Sequence, residues 1–215
     1  SPSKSTTVSS LPELVSEQDL SKLPLGDGLY SSSAKAGYIY SCQKSFDSDA
    51  PGAENIGPWI NGTNKTWDAT QKLTVDGDVK WEGKVTIEIS GNLRIITSNA
   101  LPGDHGTGEF PISSSDDAYA YDRNPNKIAA QSISYSLPVA PTKATSPECV
   151  GGEVGIAING IPIFSGFDAG GRDAVAHEVQ DECEGHPQVA SEYHYHNLSS
   201  CIDAEQDAAG HPKLI

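Results

Sequence analysis

Histidines are concentrated near the end of this chain, at spacings that suit a metal site. Five of the six lie within the last 39 residues. The run Tyr193-His194-Tyr195-His196 alternates tyrosine with histidine. If this run is a strand, the two imidazoles share one face about 6–7 Å apart, and the tyrosines bury their rings on the other. Both imidazoles could then reach one metal ion. The five are His177, His186, His194, His196 and His211.

Two cysteines bracket this segment. Cys183 precedes His186, and Cys201 follows the alternating run. If they pair, the ring of roughly 18 residues constrains the unfolded chain by about 3 kcal/mol and limits the motion of three candidate ligands, His186, His194 and His196. Cys42 and Cys149 bring the number of cysteines to four, and an even number is typical of a two-disulfide protein.

The remaining neighbours of the motif have several possible roles. His177 lies on a predicted helix, where we expect a surface or capping residue. His211 follows a glycine and is a secondary candidate ligand. Asp181 and Glu182 could orient a metal-bound imidazole, or they could be solvated charges at the end of a helix.

Imidazole-rich sites favour Zn(II) or Cu(II) over Mg(II) or Ca(II), and the affinity order places copper above zinc. Three nitrogen ligands with one open position are typical of a catalytic site. A closed set of four ligands is typical of a structural or storage site. The sequence therefore predicts a copper or zinc ion and leaves both kinds of site open.

The charge balance excludes one class of partner. The 215 residues contain 14 Lys+Arg against 29 Asp+Glu, a formal net charge of -15. Such a surface repels nucleic acid and anionic membranes. No apolar run approaches the roughly 20 residues that a membrane span needs. Because the chain contains no Met, we expect a processed product whose targeting segment has been removed.

Glycosylation sequons, together with the cysteines, predict a secreted or extracellular glycoprotein. Asn61 and Asn64 lie in a predicted loop, and both are expected acceptors. Asn197 forms a third sequon but adjoins His196. Its side chain should point to the partly buried tyrosine face, so we predict that Asn197 carries no glycan.

The pattern along the chain is mainly β. We predict a single-domain sandwich or distorted barrel with long loops and one or two short helices. Residues 1–25 read as a flexible N-terminal arm with a possible helix over Ser10–Leu23, and residues 26–215 as one β-rich domain. Arg172–Glu182 is the other predicted helix. The predicted strand pairs are 72–75 with 79–81, 85–89 with 93–97, and 156–158 with 161–164, with a further strand at 132–137.

Three segments resemble the YHYH-domain family, whose members are mostly secreted or envelope proteins of poorly defined function. The run Gln180–Gln188 followed by Tyr193–His196 resembles its signature. Gly155–Pro162 is similar to the family's Gly-x-Ala-x-Asn-Gly-x-Pro segment, and Ser98–Pro111 to an upstream stretch. The similarity covers about residues 85–215. By resemblance His105 could join the metal site, whereas the sequence alone makes it a loop histidine beside Asp104.

The family pattern continues beyond the step that Gly210–Leu214 matches, into a further hairpin segment. This chain stops at Ile215. The resemblance therefore implies a possible partner: a C-terminal fragment of the same precursor, cut after Ile215 and still associated.

Three functions compete at this stage. A metalloenzyme would keep an open position on an ion held by His186, His194 and His196. A metal-capture or delivery protein would close the site with His105 or His211. An extracellular recognition or adhesion module would use the histidines structurally only.

Overall fold

A computed structural model of the chain describes residues 19–47 and 49–202. Its architecture is mainly β, as predicted, and none of its sheets closes into a barrel within these ranges. The strands are β1 (Leu23–Pro24), β2 (Tyr30–Ser31), β3 (Ile39–Tyr40), β4 (Ile60–Asn61), β5 (Thr66–Trp67), β6 (Val85–Ser90), β7 (Leu93–Ser98), β8 (Ile133–Pro138), β9 (Glu153–Ile156), β10 (Pro162–Phe164), β11 (Gly185–Pro187) and β12 (Tyr193–Tyr195). The α-helix is α1 (Ala174–His177), and 3-10 turns occur at Leu20–Lys22 and Asp117–Ala120.

The longest strands form an antiparallel meander in the order β6-β7-β8. Gly91 turns the chain between β6 and β7 with a φ of 61°, a conformation that costs glycine least. Apolar and polar residues alternate along β6, which fits the pleat of a strand. The predicted pairing of 85–89 with 93–97 and the strand at 132–137 are both confirmed.

A four-stranded sheet, in the order β11-β12-β10-β9, carries the histidine motif. Strands β9 and β10 form the predicted hairpin around Asn159-Gly160, where Gly160 has a φ of 84°. Strand β12 runs parallel to β10, with Ile163 opposite Tyr195. It runs antiparallel to β11, with His186 opposite His194. This register places the motif between two neighbouring strands.

Two smaller sheets complete the β-structure: β1-β5-β4 is antiparallel, and β2 pairs with β3 in parallel. A core packs beside the first of them, and a second core lies under the four-stranded sheet. The buried residues of the first core are Leu25, Trp59, Trp67, Val75, Ile112, Ala118, Ala176 and Val179. Those of the second are Leu101, Ile128, Ala157, Ile161, Tyr193, Tyr195 and Ile202.

The predicted hairpin over residues 72–81 is wrong. Val75 instead bridges Asp181 in parallel, and Val79 bridges Thr107 antiparallel. The Val79 bridge is closed by reciprocal N–H···O bonds with Thr107, of 2.8 and 3.0 Å. The side chain of Val75 is buried in the first core. Both segments therefore meet the backbone-pairing requirement with distant partners rather than with each other.

The predicted helix over Arg172–Glu182 is also wrong in its length. Helix α1 begins after Asp173, whose carboxylate accepts from the Ala176 N–H, and it ends at His177. Glu178 is already extended, with φ -76° and ψ 140°. The next amide, of Val179, donates to the Asp122 carboxylate at 2.9 Å. The chain leaves the helix because its next backbone partners lie on other segments.

The four cysteines form two disulfides, Cys42–Cys149 and Cys183–Cys201. The predicted helix over Ser10–Leu23 falls largely outside the described residues. Its described end is the 3-10 turn Leu20–Lys22, capped by Asp19. No helix in the ranges 19–47 and 49–202 has the length and apolarity needed to cross a membrane.

Candidate metal centre

Strand β12 separates an apolar core from a cluster of imidazoles. The rings of Tyr193 and Tyr195 are fully buried in the second core. The Tyr193 hydroxyl donates to the Asp181 carboxylate at 2.9 Å, and the Tyr195 hydroxyl lies 2.7 Å from Nε2 of His105. Each phenol thus finds a partner, as the alternation predicts. His194 projects from the opposite face of the strand.

Three imidazoles converge on this opposite face. Nε2 of His196 lies 3.2 Å from Nε2 of His194 and 3.2 Å from Nε2 of His186. One nitrogen from each of the three histidines lies within 4.8 Å of the others. A tetrahedral ion with bonds of about 2.0–2.1 Å places its ligands about 3.3–3.4 Å apart. The two measured separations therefore match the edges of a metal-ligand tetrahedron.

Backbone carbonyls fix the hydrogen position on two of the rings. Nδ1 of His194 lies 3.2 Å from the Glu192 carbonyl, and Nδ1 of His196 lies 2.6 Å from the Ser165 carbonyl. A carbonyl only accepts, so both Nδ1 atoms carry the proton. In neutral rings, each Nε2 atom then carries a lone pair and no hydrogen. The two lone pairs face each other across 3.2 Å, and neither nitrogen can donate a hydrogen bond to the other. A cation between them resolves this arrangement.

A carboxylate that the sequence analysis does not single out completes the cluster. Oε2 of Glu178 lies 3.4 Å from Nε2 of His196 and 3.6 Å from Nε2 of His186. These separations again approximate a tetrahedral edge. Oε2 is buried and has no hydrogen-bond partner within the described part of the chain, and the same holds for Nδ1 of His186. Glu178 thus adjoins two of the three histidines, and we call these four side chains the His₃Glu cluster.

Several contacts hold Glu178 in place. The indole N–H of Trp59 donates to the Ala176 carbonyl at 2.8 Å, and the Asp122 carboxylate accepts from Val179. The Lys72 amine donates to the Val175 carbonyl and to the Gln180 side chain. These contacts lie on both sides of Glu178, so its backbone is fixed before any ligand binds.

Burial sets the protonation of the cluster. Loss of solvent lowers the pKa of His194 to about 3 and that of His196 to about 4, and it places the pKa of His186 well below its usual range. All three rings are therefore neutral at pH 7, the form that binds a metal. Burial, aided by Asp122 and Asp168, raises the pKa of Glu178 well above its usual range. A cation beside Glu178 would oppose that shift by favouring the carboxylate.

All four cluster residues line an open cavity of about 730 Å³. Its wall also includes Phe46, Phe164 and Phe167. The ring of Phe164 lies against that of His194, with centroids 4.2 Å apart and planes inclined by 31°. A cavity of this size admits a small organic molecule. An ion on the cluster would therefore be reached from the cavity.

The segment that builds this centre matches a known family pattern. Residues 134–215 match the family model of the YHYH protein. The resemblance read from the sequence is confirmed over these residues, called the YHYH segment below. No curated protein and no solved structure matches the chain.

Within the YHYH segment, the structure brings together His186, His194 and His196, as the sequence predicts. It does not bring His105 to them. That ring lies on the tyrosine face, between the Gly106 carbonyl (2.8 Å) and the Tyr195 hydroxyl. Because β12 separates its two faces, His105 cannot close the cluster. His211 lies outside the described residues.

The acidic neighbours and His177 also differ from expectation. Asp181 is buried and accepts from Tyr193 and from the amides of Cys183 and Gly185, so it supports the strand rather than an imidazole. Glu182 is exposed. His177 is a buried residue rather than a surface one, and its Nε2 lies 3.0 Å from the Asp27 carboxylate.

One signal in the sequence could have identified Glu178. It is an acidic residue in the segment 174–179, whose other members are alanines, valines and His177. A carboxylate in such a run is buried, and buried carboxylates are paired or bind metals. On the predicted helix, Glu178 would lie on the same face as Ala174 and Val175, so the helical pattern itself contained this signal.

Proposed function

We propose that this chain is a metal-binding protein in which His186, His194 and His196 hold a zinc or copper ion and Glu178 supplies the fourth ligand. The observation that carries the proposal is the convergence of the three imidazoles, whose ligand nitrogens lie within 4.8 Å of one another. Oε2 of Glu178 lies 3.4 Å from Nε2 of His196 and 3.6 Å from Nε2 of His186. Imidazole nitrogens are ligands that suit both zinc and copper.

A purely structural role for the histidines accounts poorly for the same atoms. Nδ1 of His186 and Oε2 of Glu178 are both buried without a partner in the described chain. Each unsatisfied buried polar atom costs about 1–3 kcal/mol. Coordination through Oε2 removes one of these costs and relieves the opposed lone pairs of His194 and His196. These costs argue against a recognition or adhesion module in which the histidines have only a structural role.

The cavity beside the cluster supports a second candidate, a metalloenzyme. A storage or structural site is usually closed to other molecules, whereas this cluster lines a space of about 730 Å³. Glu178 also lies where a carboxylate could accept a proton from a molecule entering that space.

The two disulfides support a location outside the cytoplasm. Cys42–Cys149 and Cys183–Cys201 are both paired, and paired cysteines persist in oxidising compartments. We propose a secreted or extracellular protein. Asn61 and Asn64 are exposed and stay the proposed glycan acceptors. The Asn197 amide nitrogen donates to Glu184 at 2.9 Å, which supports its prediction as unglycosylated.

Elemental analysis tests the proposal. Protein purified from its native source should contain one zinc or copper per chain. The double variant His194→Ala/His196→Ala should lose that metal. His105→Gln is the matched control, because this ring lies on the other face of β12, and it should retain the metal. Equal metal content in the double variant and the wild type sinks the proposal.

A further inference from the structure

The cavity beside the His₃Glu cluster has a wall of distinct chemistry, and this wall limits what can bind there. Its aromatic part consists of Phe46, Phe164 and Phe167. The ring centroids of Phe46 and Phe167 lie 5.9 Å apart in an edge-to-face pair. Phe164 extends the surface to His194. Flat apolar rings in contact with solvent favour an aromatic ligand that can pack against them.

The charged part of the wall is acidic. Glu54, Asp122 and Asp168 line the cavity together with the cluster residue Glu178. No lysine or arginine of residues 19–47 and 49–202 lines it. Arg172 lies beside this wall, where its Nε donates to Asp168 at 2.7 Å and its Nη1 donates to the Ala53 carbonyl. Its charge is therefore already balanced.

The carboxylates of the wall still affect the cavity when an ion is bound. A divalent cation with the Glu178 carboxylate leaves one positive charge at the cluster. Arg172 balances Asp168, and the positive charge of the buried Lys72 acts on Asp122 and Glu178. Glu54 remains as a wall carboxylate without a salt bridge in the described part of the chain. Asp122 is 3% exposed and accepts from Val179 and Asn124. The chain as a whole carries a formal charge of -15. Glu54 and the net negative charge of the chain therefore disfavour anions in the cavity and favour cations.

We infer that the cavity binds an aromatic molecule that is neutral or positively charged, and that it rejects anionic aromatics. The inference depends on the proposed function in one respect: it places the ligand beside the residues proposed to bind the metal. A cation can also face the aromatic rings, which adds a favourable contact of the cation–π type.

Three near-isosteric probes test this inference: 2-naphthylmethylamine, 2-naphthalenemethanol and 2-naphthoate. Titration calorimetry on the purified full chain gives each dissociation constant, with zinc bound and after its removal. We expect the amine and the alcohol to bind, and 2-naphthoate to bind at least about tenfold more weakly in both states. Phe167→Ala should weaken both binders, because it removes a wall ring without touching the cluster.

A charge variant isolates the electrostatic part. Glu54→Gln removes one wall carboxylate. It should reduce the ratio of the dissociation constants of 2-naphthoate and the amine by several-fold. Glu82→Gln is the matched control, an exposed carboxylate outside the cavity. It should leave the ratio unchanged.

The outcomes separate this inference from the metal proposal. Zinc binding without binding of any probe overturns the inference and leaves the metal site standing. Probe binding in the predicted order by a chain that holds no metal supports the inference and counts against the metal site. If 2-naphthoate binds tightest, and only when zinc is present, the ion captures anions directly and the inference is wrong.

Discussion

His186 and His194 face each other directly across two antiparallel strands, with ring centroids 4.7 Å apart. Their position therefore follows from the register of β11 and β12, not from the conformation of a flexible loop. His196 lies two residues beyond His194 and comes to the same side. A site on paired strands is more rigid than one on loops, and this rigidity holds three ligand atoms at fixed separations.

Glu178→Gln should weaken zinc binding at least about tenfold, because the amide keeps the shape of the side chain but removes the charge that completes the His₃Glu cluster. Competition with a chromophoric chelator measures the affinity. Glu182→Gln, a neighbouring exposed carboxylate, should leave it unchanged. Identical affinities for Glu178→Gln and the wild type would remove Glu178 from the ligand set.

The two disulfides should have separable effects. Cys183→Ser/Cys201→Ser opens a ring of sequence separation 18 that holds all three histidines, and it should lower stability by about 3 kcal/mol and reduce zinc affinity. Cys42→Ser/Cys149→Ser opens a ring of sequence separation 107 and should lower stability by more, about 4–5 kcal/mol. It should leave the zinc affinity of the folded protein intact. Urea unfolding and chelator competition give the two quantities. Equal loss of zinc affinity in both variants would contradict this assignment.

Tyr193→Phe should destabilise the fold by about 1–3 kcal/mol, since it removes a buried donor to the Asp181 carboxylate. The same carboxylate also accepts from Cys183 and Gly185 and thereby supports the start of β11. Urea unfolding of the metal-free protein measures the change. Tyr38→Phe, on a tyrosine that is 36% exposed, is the control and should change stability little. A Tyr193→Phe protein as stable as the control would show that this hydrogen bond contributes nothing net.

Asp122 should make stability depend on pH. Burial raises the pKa of its carboxyl group above the unfolded value. The folded protein then holds this proton at pH values where the unfolded chain has released it, so this group's contribution to stability falls as the pH rises from about 4 through the folded pKa. In Asp122→Asn this contribution to the slope is absent.

Urea unfolding of the wild type and of Asp122→Asn between pH 3.5 and pH 7 tests this sign. The free energy of unfolding of the wild type minus that of the variant should decrease as the pH rises. The comparison uses the slope alone, because the amide retains only one of the two acceptor oxygens. A difference that is flat or rising would contradict a raised pKa for Asp122.

Local signals made part of this structure predictable. The alternation of Val85, Ile87 and Ile89 defines β6, and Asn159-Gly160 defines the turn of the β9–β10 hairpin. The same logic assigned His194 and His196 to one face. These features can be predicted from the period of a strand and the backbone preferences of turn residues. Both are visible in residues that are adjacent in the sequence.

Other features of the structure depend on contacts between residues far apart in the sequence. Helix α1 stops at His177, and the amide of Val179 donates to the carboxylate of Asp122, 57 positions earlier. The segments at Val75 and Val79 likewise pair with Asp181 and Thr107 rather than with each other. No local pattern encodes such contacts. The family resemblance likewise makes His105 a possible ligand, although β12 lies between that ring and the cluster.

Because the two faces of β12 carry different side chains, few insertions or deletions in this segment can be tolerated during evolution. Tyrosines face the core and histidines face the cluster, and the period of two links the two sets of side chains. Inserting or deleting one residue between Tyr193 and His196 would send part of the motif to the wrong side, placing an imidazole among apolar residues and a phenol among the ligands. Substitutions can be sampled one at a time here, but a single-residue change in length damages core and cluster together. The segment is therefore expected to tolerate changes of length in its flanking turn at Gln188–Glu192 far more readily than within the motif itself.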